Sequence, residues 1–244
     1  MYVPIIFLLL IERVYSFNLL SNINPIITSS ELITTYSLGK LAKDNIPMYA
    51  LNSNITRKLI HVTSAPTFVS TWGLYNDNNP NSWASLVPLS ASIYIALNSE
   101  KLISLLSRKG TKKEIFKGPL AYTLILTFIT YFSWMNTPNG IVSIMQLAIG
   151  DGFSDIVGRA IGETKWKHNN KKSIEGSIAF LVTSFFSSVY MIEFFNLVYK
   201  TNYEYSLINL LIISLSCSLI ETVPDIDDNI SVPITSIVLS KLLL

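Results

Sequence analysis

Charged residues and cysteines are scarce in this sequence. Lysine, arginine, aspartate and glutamate make up 14% of the 244 residues, whereas soluble domains carry about 25%. Half of the residues are hydrophobic and form long runs, which indicates a polytopic membrane protein. The one cysteine, Cys217, lies in such a run, so an internal disulfide is excluded and a thiolate metal site is not expected.

Several common catalytic signatures are also missing. The sequence has no Walker A loop, no Gly-x-Gly-x-x-Gly, no His-Glu-x-x-His and no Gly-x-Ser-x-Gly. Catalysis by a soluble kinase domain is therefore not supported. No nucleic-acid partner is expected, and the oligomeric state stays open.

The N-terminal region differs from the rest of the chain. Its first apolar run is about eight residues long, too short to span a bilayer. It resembles a signal-peptide core without the usual basic flank, and the following stretch is rich in serine, threonine and asparagine. We expect a signal peptide at 1–16, a transit or flexible segment at 17–55 and a membrane-embedded domain at 56–244. A poorly hydrophobic N-terminal membrane segment is the alternative.

Long apolar segments fill the remainder and predict an all-α, polytopic membrane protein with about seven transmembrane helices. They lie at about 59–74, 83–98, 119–135, 140–158, 175–195, 205–222 and 230–244.

Lysine and arginine are concentrated in alternate connections. The 99–118 connection holds six and the 159–174 connection five, whereas the connections that alternate with them hold only Lys200. The positive-inside rule places both basic connections in the cytosol, or in the stroma of a plastid. With seven spans, Arg57-Lys58 and the turn 223–229 emerge on the same face. This arrangement suits a site for an anionic, soluble cosubstrate at the membrane boundary.

The stretch from Gly150 to Gly162 carries charge into an apolar segment. Asp151, Asp155 and Arg159 are spaced by four residues and so lie on one stripe of a helix. Two such aspartates repel each other unless a cation lies between them, and charges at membrane depth usually face a protein interior or a water-filled cavity. The glycines of this stretch permit close approach of backbone or ligand. Metal-bound phosphate is the predicted ligand; simple pairing of the aspartates with Arg159 and nearby lysines is the alternative.

Two shorter motifs place cations at helix starts. The first motif, at a helix start, places Arg57, Lys58 and His61 on one surface. These residues are predicted to bind phosphate. The alternative is that the two cations anchor the helix at the membrane interface and His61 is a packing residue. In the second motif, Ser173 is a candidate N-cap and Lys172 precedes it. The same helix N-terminus is a candidate phosphate site, and the two roles are compatible.

An acidic turn precedes the last apolar segment. Glu221, Asp225, Asp227 and Asp228 lie within eight residues and are followed by Asn229. Hard oxygen ligands of this kind suit magnesium that bridges nucleotide phosphates. A solvated acidic turn is the alternative.

Taken together, these motifs resemble the phytol kinase family. The matching patterns are Arg57-Lys-x-x-His61, Gly150-Asp-Gly-x-x-Asp155-x-x-Gly158-Arg, Lys172-Ser-x-Glu-Gly176, and Glu221 followed by Asp227-Asp-Asn229. Dolichol kinases, CTP-dependent diacylglycerol kinases and phosphatidate cytidylyltransferases belong with this family. The pattern Lys113-Glu-x-x-Lys117-Gly-Pro-Leu120 resembles the phytol and farnesol kinase branch. The resemblance covers roughly 56–244, and Ser154 stands where alanine is expected.

The resemblance implies transfer of a nucleotide γ-phosphate, usually from CTP, to the hydroxyl of a long-chain prenyl alcohol such as phytol, farnesol or dolichol. UTP and ATP stay open as donors. We expect magnesium to be held by Asp151, Asp155, Asp227, Asp228 and Glu221. We expect the catalytic groups to be Asp151, Asp155, Arg159, Lys172, Glu175 and Asp228. We expect the nucleotide to be bound by Arg57, Lys58, His61, Gly150, Gly152, Gly158, Ser173, Gly176 and Asn229.

Two other functions are alternatives to phosphoryl transfer. A cytidylyltransferase would make a CDP-activated lipid, although the Pro-Gly-His-Gly-Gly signature of those enzymes is absent. An ion or metabolite transporter would also place carboxylates in the membrane, but the sequence has no internal repeat. The expected location is a plastid envelope or thylakoid membrane, or otherwise the endoplasmic reticulum.

Overall fold

A computed structural model describes residues 24–31, 53–75, 79–107 and 111–244. The predicted signal peptide lies outside the described residues. The helices are α1 (24–31), α2 (Ser53–Ser70), α3 (Pro80–Leu97), α4 (Ser99–Leu106), α5 (Lys112–Phe132), α6 (Asn139–Ala160), α7 (Ile174–Tyr199), α8 (Leu207–Ile220) and α9 (Asp228–Leu243). A 3₁₀ turn, Trp72–Leu74, follows α2, and the antiparallel strands β1 (Lys165–Trp166) and β2 (Asn169–Ser173) form a hairpin between α6 and α7.

The prediction of a mostly helical protein is confirmed. Each of the seven apolar segments contains a helix, in the predicted order. Within the described residues, α5, α6 and α7 are long and apolar enough to cross a membrane, and α8 is a shorter apolar helix. Seven spans therefore remain a prediction. The hairpin was not predicted, because its strands are short and polar.

Side-chain caps fix where several of these helices begin. Ser173 Oγ accepts from the backbone N–H of Gly176 at the start of α7, and Ser206 does the same for Asn209 at the start of α8. Asp227 caps α9 through the N–H of Asn229. Such caps satisfy amide groups that have no partner inside the helix.

Helix α6 is the centre of the bundle and packs against α2, α7 and α9. In the most apolar 18-residue stretch of α6, 72% of the residues are buried. In the corresponding stretches of α5 and α7, 33% are buried. Conversely, large apolar side chains on α7 and α8 are exposed, including Phe186 at 64% and Ile208 at 69%. An outer surface of this kind suits lipid.

The two ends of the bundle differ in chemistry. At one end, neutral groups meet: Tyr203 donates to the carbonyl of Met135 over 2.5 Å, and Tyr199 donates to that of Ser70. The other end holds buried charges contributed by α2, α6, the hairpin and the turn before α9. The charged motifs of the sequence therefore collect at one end; the side of the membrane it faces remains a prediction.

Helix α1 packs at the end of the bundle opposite the cluster of buried charges. Thr28 Oγ1 donates to the carbonyl of Trp83 over 3.2 Å, and Tyr75 donates to Glu31 Oε2 over 2.8 Å. Ile27 is 8% exposed in a small core with Tyr75. Part of the segment predicted as transit or flexible is thus a helix that contacts the membrane domain.

Candidate active site

Three carboxylates from distant parts of the chain meet at the charged end. Asp151 lies in α6, Glu221 follows the last residue of α8, and Asp228 is the first residue of α9. One oxygen of each lies within 4.8 Å of the other two. Asp151 and Glu221 are 4% and 2% exposed, so their charges need compensation.

Two lysines supply much of that compensation. Lys58 Nζ lies 2.9 Å from Asp151 Oδ2. Lys172 Nζ contacts Glu221 Oε1 and lies 2.9 Å from Asp228 Oδ2. Burial lowers the pKa of Lys172, but the neighbouring carboxylates of Asp228 and Glu221 raise it more, so the pKa lies above the ordinary lysine value. Lys172 therefore stays charged.

Glu221 is held by a serine of α6. Ser154 Oγ donates to Glu221 Oε1 over 3.0 Å and so fixes this carboxylate. Among the described residues, the buried Oε2 of Glu221 has no hydrogen-bond partner. A buried acceptor of this kind requires a donor or a cation. Because hard oxygen ligands suit magnesium, Asp151, Glu221 and Asp228 fit a divalent cation.

Asp155 and Arg159 lie at the rim of this cluster. Arg159 Nε donates to Asp155 Oδ1 over 2.8 Å, which is the pairing given above as the alternative. Asp155 Oδ2 is also 3.9 Å from Lys58 Nζ. The structure therefore separates the two aspartates: Asp151 belongs to the buried cluster and Asp155 to its more open edge.

Asp227 and Asn229 shape the turn that presents Asp228. Asp227 Oδ1 accepts from the backbone N–H of Asn229 over 3.1 Å and from its side-chain Nδ2 over 3.0 Å. Both residues thus stabilise the start of α9 in this structure, and their roles as magnesium and nucleotide ligands remain predictions.

His61 connects α2 to the core of the site. Its Nε2 lies 3.1 Å from the carbonyl oxygen of Leu147 and 3.4 Å from Asp151 Oδ2. Its ring packs on Tyr122 with centroids 3.9 Å apart, and Tyr122 donates to the carbonyl of His61 over 2.9 Å. His61 therefore packs against Tyr122 and also lies close to the Asp151 carboxylate. Arg57 lies in α2 beside Lys58, but its side chain is outside the described part.

Close helix packing accounts for the glycines. A Cβ at Gly150 would lie 2.8 Å from the ring of Phe180, and one at Gly152 would lie 2.2 Å from Val62. At Gly176 it would lie 2.9 Å from the carbonyl of Ser154, and Gly158 faces Ser173. These positions face α2, α6, α7 and the N-cap of α7 in this structure, and their role in nucleotide binding remains a prediction.

Glu175 contacts the segment that leads into the hairpin, and its catalytic role remains a prediction. Its Oε1 accepts from the backbone N–H of Thr164 over 3.0 Å. At the other side of the hairpin, His168 Nε2 lies 3.0 Å from Thr222 Oγ1, and Asn169 Nδ2 donates to the carbonyl of Thr222 over 3.0 Å. The hairpin is thus fixed to the turn that follows Glu221.

Lys172 reaches the cluster because it lies on the hairpin. Lys172 was predicted as a site residue, but the hairpin was not. The adjacent asparagines Asn169 and Asn170 are a turn signal that could have suggested it. No sequence pattern indicated that His168 and Thr222 meet, because their contact joins separate parts of the chain.

Curated relatives match most of the chain. A probable phytol kinase of Zea mays is 33% identical over 220 residues, which cover 85% of this chain and 73% of the relative. Phytol kinase 1 of Arabidopsis thaliana is 32% identical over 218 residues, covering 84% and 70%. A farnesol kinase of Arabidopsis thaliana is 34% identical over 212 residues, covering 81% and 67%. All three are named chloroplastic. No family model and no solved structure matches the chain.

Proposed function

The chain belongs to the phytol and farnesol kinase family, and we propose that it transfers a phosphoryl group to the hydroxyl of a long-chain prenyl alcohol. The observation that carries this proposal is the meeting of Asp151, Glu221 and Asp228 with two lysines at one end of an apolar bundle. Phosphoryl transfer depends mainly on alignment and charge stabilisation, and a cluster of acids and cations can supply both.

The charge balance of the cluster favours a cation together with an anionic substrate. Three carboxylates face Lys58 and Lys172, so the cluster carries one negative charge in excess when all three carboxylates are ionised. Asp151, Glu221 and Asp228 would hold magnesium, and the unpartnered Oε2 of Glu221 supports this assignment. When bound, magnesium would neutralise charge on a nucleoside triphosphate. We propose CTP as the donor.

The lysines are assigned to the phosphate groups. Each sits on a flexible stem that allows Nζ to move from a carboxylate to a phosphate oxygen. Lys172 remains protonated because Asp228 and Glu221 surround it, so it presents a full positive charge. Arg159, 49% exposed at the rim, is placed to meet the more solvated part of the triphosphate.

The acceptor reaches this site from the membrane. The isoprenoid chain lies against the exposed apolar surface of the helices, where residues such as Phe186 and Ile208 face outward. Its hydroxyl meets the nucleotide at the charged end, and a carboxylate of the cluster accepts the proton. Because the relatives are named chloroplastic, we propose a plastid membrane as the location.

Position-specific labelling of CTP tests the proposal. Purified protein in nanodiscs receives phytol, farnesol or dolichol together with γ-labelled or α-labelled CTP, and UTP and ATP serve as alternative donors. Only the γ-label should reach the lipid fraction, as a prenyl monophosphate. Transfer of the α-label to phosphatidic acid would indicate a cytidylyltransferase. Absence of transfer from every donor to every alcohol would refute the kinase assignment.

A further inference from the structure

A row of polar side chains crosses the apolar interior between the helices that carry the site. Gln146 of α6 is fully buried, and its Nε2 donates to Ser188 Oγ over 3.1 Å and to Ser214 Oγ over 3.0 Å. Ser143 Oγ, also in α6, lies within hydrogen-bonding distance of Ser236 Oγ, at 3.1 Å. We call these five residues the polar ladder. One amide thereby connects α6 to both α7 and α8, and one serine connects α6 to α9.

The same four helices deliver the groups of the site. Asp151 lies in α6, Lys172 precedes the start of α7, Glu221 follows α8, and Asp228 begins α9. A shift of any of these helices along its axis would move its charged group relative to the others. An interhelical hydrogen bond adds a directional contact to the side-chain packing, and its geometry is satisfied in one register of the two helices.

The backbone of α6 departs from regular α-helix between Gln146 and Asp151. Gln146–Gly150 is a π-helical turn that ends immediately before Asp151. In a regular α-helix, residues five positions apart point about 140° away from each other. A turn closed by i→i+5 hydrogen bonds brings them closer to one face, and such turns are frequent at functional sites.

Stability alone does not explain why a glutamine is buried at position 146. Within the described residues, Gln146 Oε1 is buried and has no hydrogen-bond partner. A buried amide with an unpaired oxygen is costly compared with an apolar side chain of the same size. We infer that Gln146 is a positioning residue, which holds α6, α7 and α8 in the register that brings Asp151, Lys172 and Glu221 together. Its kinetic consequence rests on the proposed kinase function.

The test replaces the amide without changing its volume. Gln146→Met cannot donate to either serine, and Ser188→Ala combined with Ser214→Ala removes the acceptors instead. Ser240→Ala is the control, because Ser240 is a buried hydroxyl of α9 outside the polar ladder. Nitroxide labels on cysteines at the exposed positions Ala160 and Leu219, in a Cys217→Ala background, report the distance between the ends of α6 and α8 in nanodiscs.

We expect the distance distribution to broaden in Gln146→Met and in the double serine variant, and to stay narrow in Ser240→Ala. Thermal unfolding of Gln146→Met should occur at or above the wild-type temperature. The kcat for the prenyl alcohol should fall on the order of tenfold to a hundredfold, with KM little changed, because the loss is one of alignment. A narrow, unshifted distribution in Gln146→Met would overturn the inference, whatever the activity. A wild-type protein inactive with every donor would refute the kinase proposal and leave the distance test intact.

Discussion

Replacing Asp151 and Lys58, first singly and then together, distinguishes a catalytic centre from a structural ion pair. Lys58 Nζ lies 2.9 Å from Asp151 Oδ2, and the two side chains are 9% and 5% exposed. Asp151→Asn leaves Lys58 buried without its carboxylate, and breaking a buried pair in this way costs about 3 kcal/mol. We expect a lower Tm for this variant in detergent, and recovery in Lys58→Met/Asp151→Asn, where both charges are gone.

Activity should respond differently from stability. If Asp151 holds the metal–nucleotide, its loss removes on the order of 3 kcal/mol of transition-state stabilisation, which corresponds to a rate loss of about a hundredfold. The double variant should therefore stay inactive although its Tm recovers. Glu163→Gln is the control, because Glu163 is an exposed carboxylate after α6 with no assigned role in the site, and it should keep wild-type activity. The assay is the initial rate of γ-phosphoryl transfer to phytol in proteoliposomes, normalised to folded protein. Recovery of activity in the double variant would refute the assignment of Asp151.

Three further predictions concern packing, pH and the N-terminal region. Gly150→Ala would place a Cβ 2.8 Å from the Phe180 ring and should cost about 1–3 kcal/mol; a lower Tm, partly restored by Phe180→Leu, is the expected result. The pairing of Lys172 is fully stabilising below its ordinary pKa of 10.5 and is lost only as pH rises through its raised pKa in the folded protein. The Tm difference between wild type and Lys172→Met should therefore stay constant from about pH 7 to 9, and a decrease over that range contradicts the reasoning. Removing residues 1–31 should give a lower Tm than removing residues 1–23, because only the longer deletion takes away the helix that contacts Tyr75; equal Tm values contradict this.

The helices could be predicted because their signal is local. Each apolar segment is recognisable from its own composition, and clustered lysines and arginines indicated which ends collect charge. The grouping of the carboxylates was harder. Asp151 and Asp155 share a helix stripe in sequence, but only Asp151 lies where the ends of α8 and α9 approach α6. That approach is a tertiary property, and no spacing along one helix determines it.

The hairpin and the polar ladder were missed for related reasons. Strand β1 has two residues, too few for an alternating pattern to be recognised. Gln146, Ser188 and Ser214 lie in three different apolar segments, and only helix packing brings them together. The contact between Ser154 and Glu221 could not be predicted either, because it joins residues that are far apart in the sequence.

Transfer of the γ-label from CTP to phytol by wild type and Glu221→Gln, at equal folded protein in proteoliposomes, tests the central claim most directly. Glu221 is buried, contacts Lys172 and Ser154, and carries the unpartnered oxygen of the cluster. The glutamine variant keeps the shape and removes the charge that would bind a hard cation. We predict labelled phytyl monophosphate from wild type and a loss of about a hundredfold or more in the variant. Equal rates from the two proteins would contradict the claim that this cluster is the phosphoryl-transfer centre.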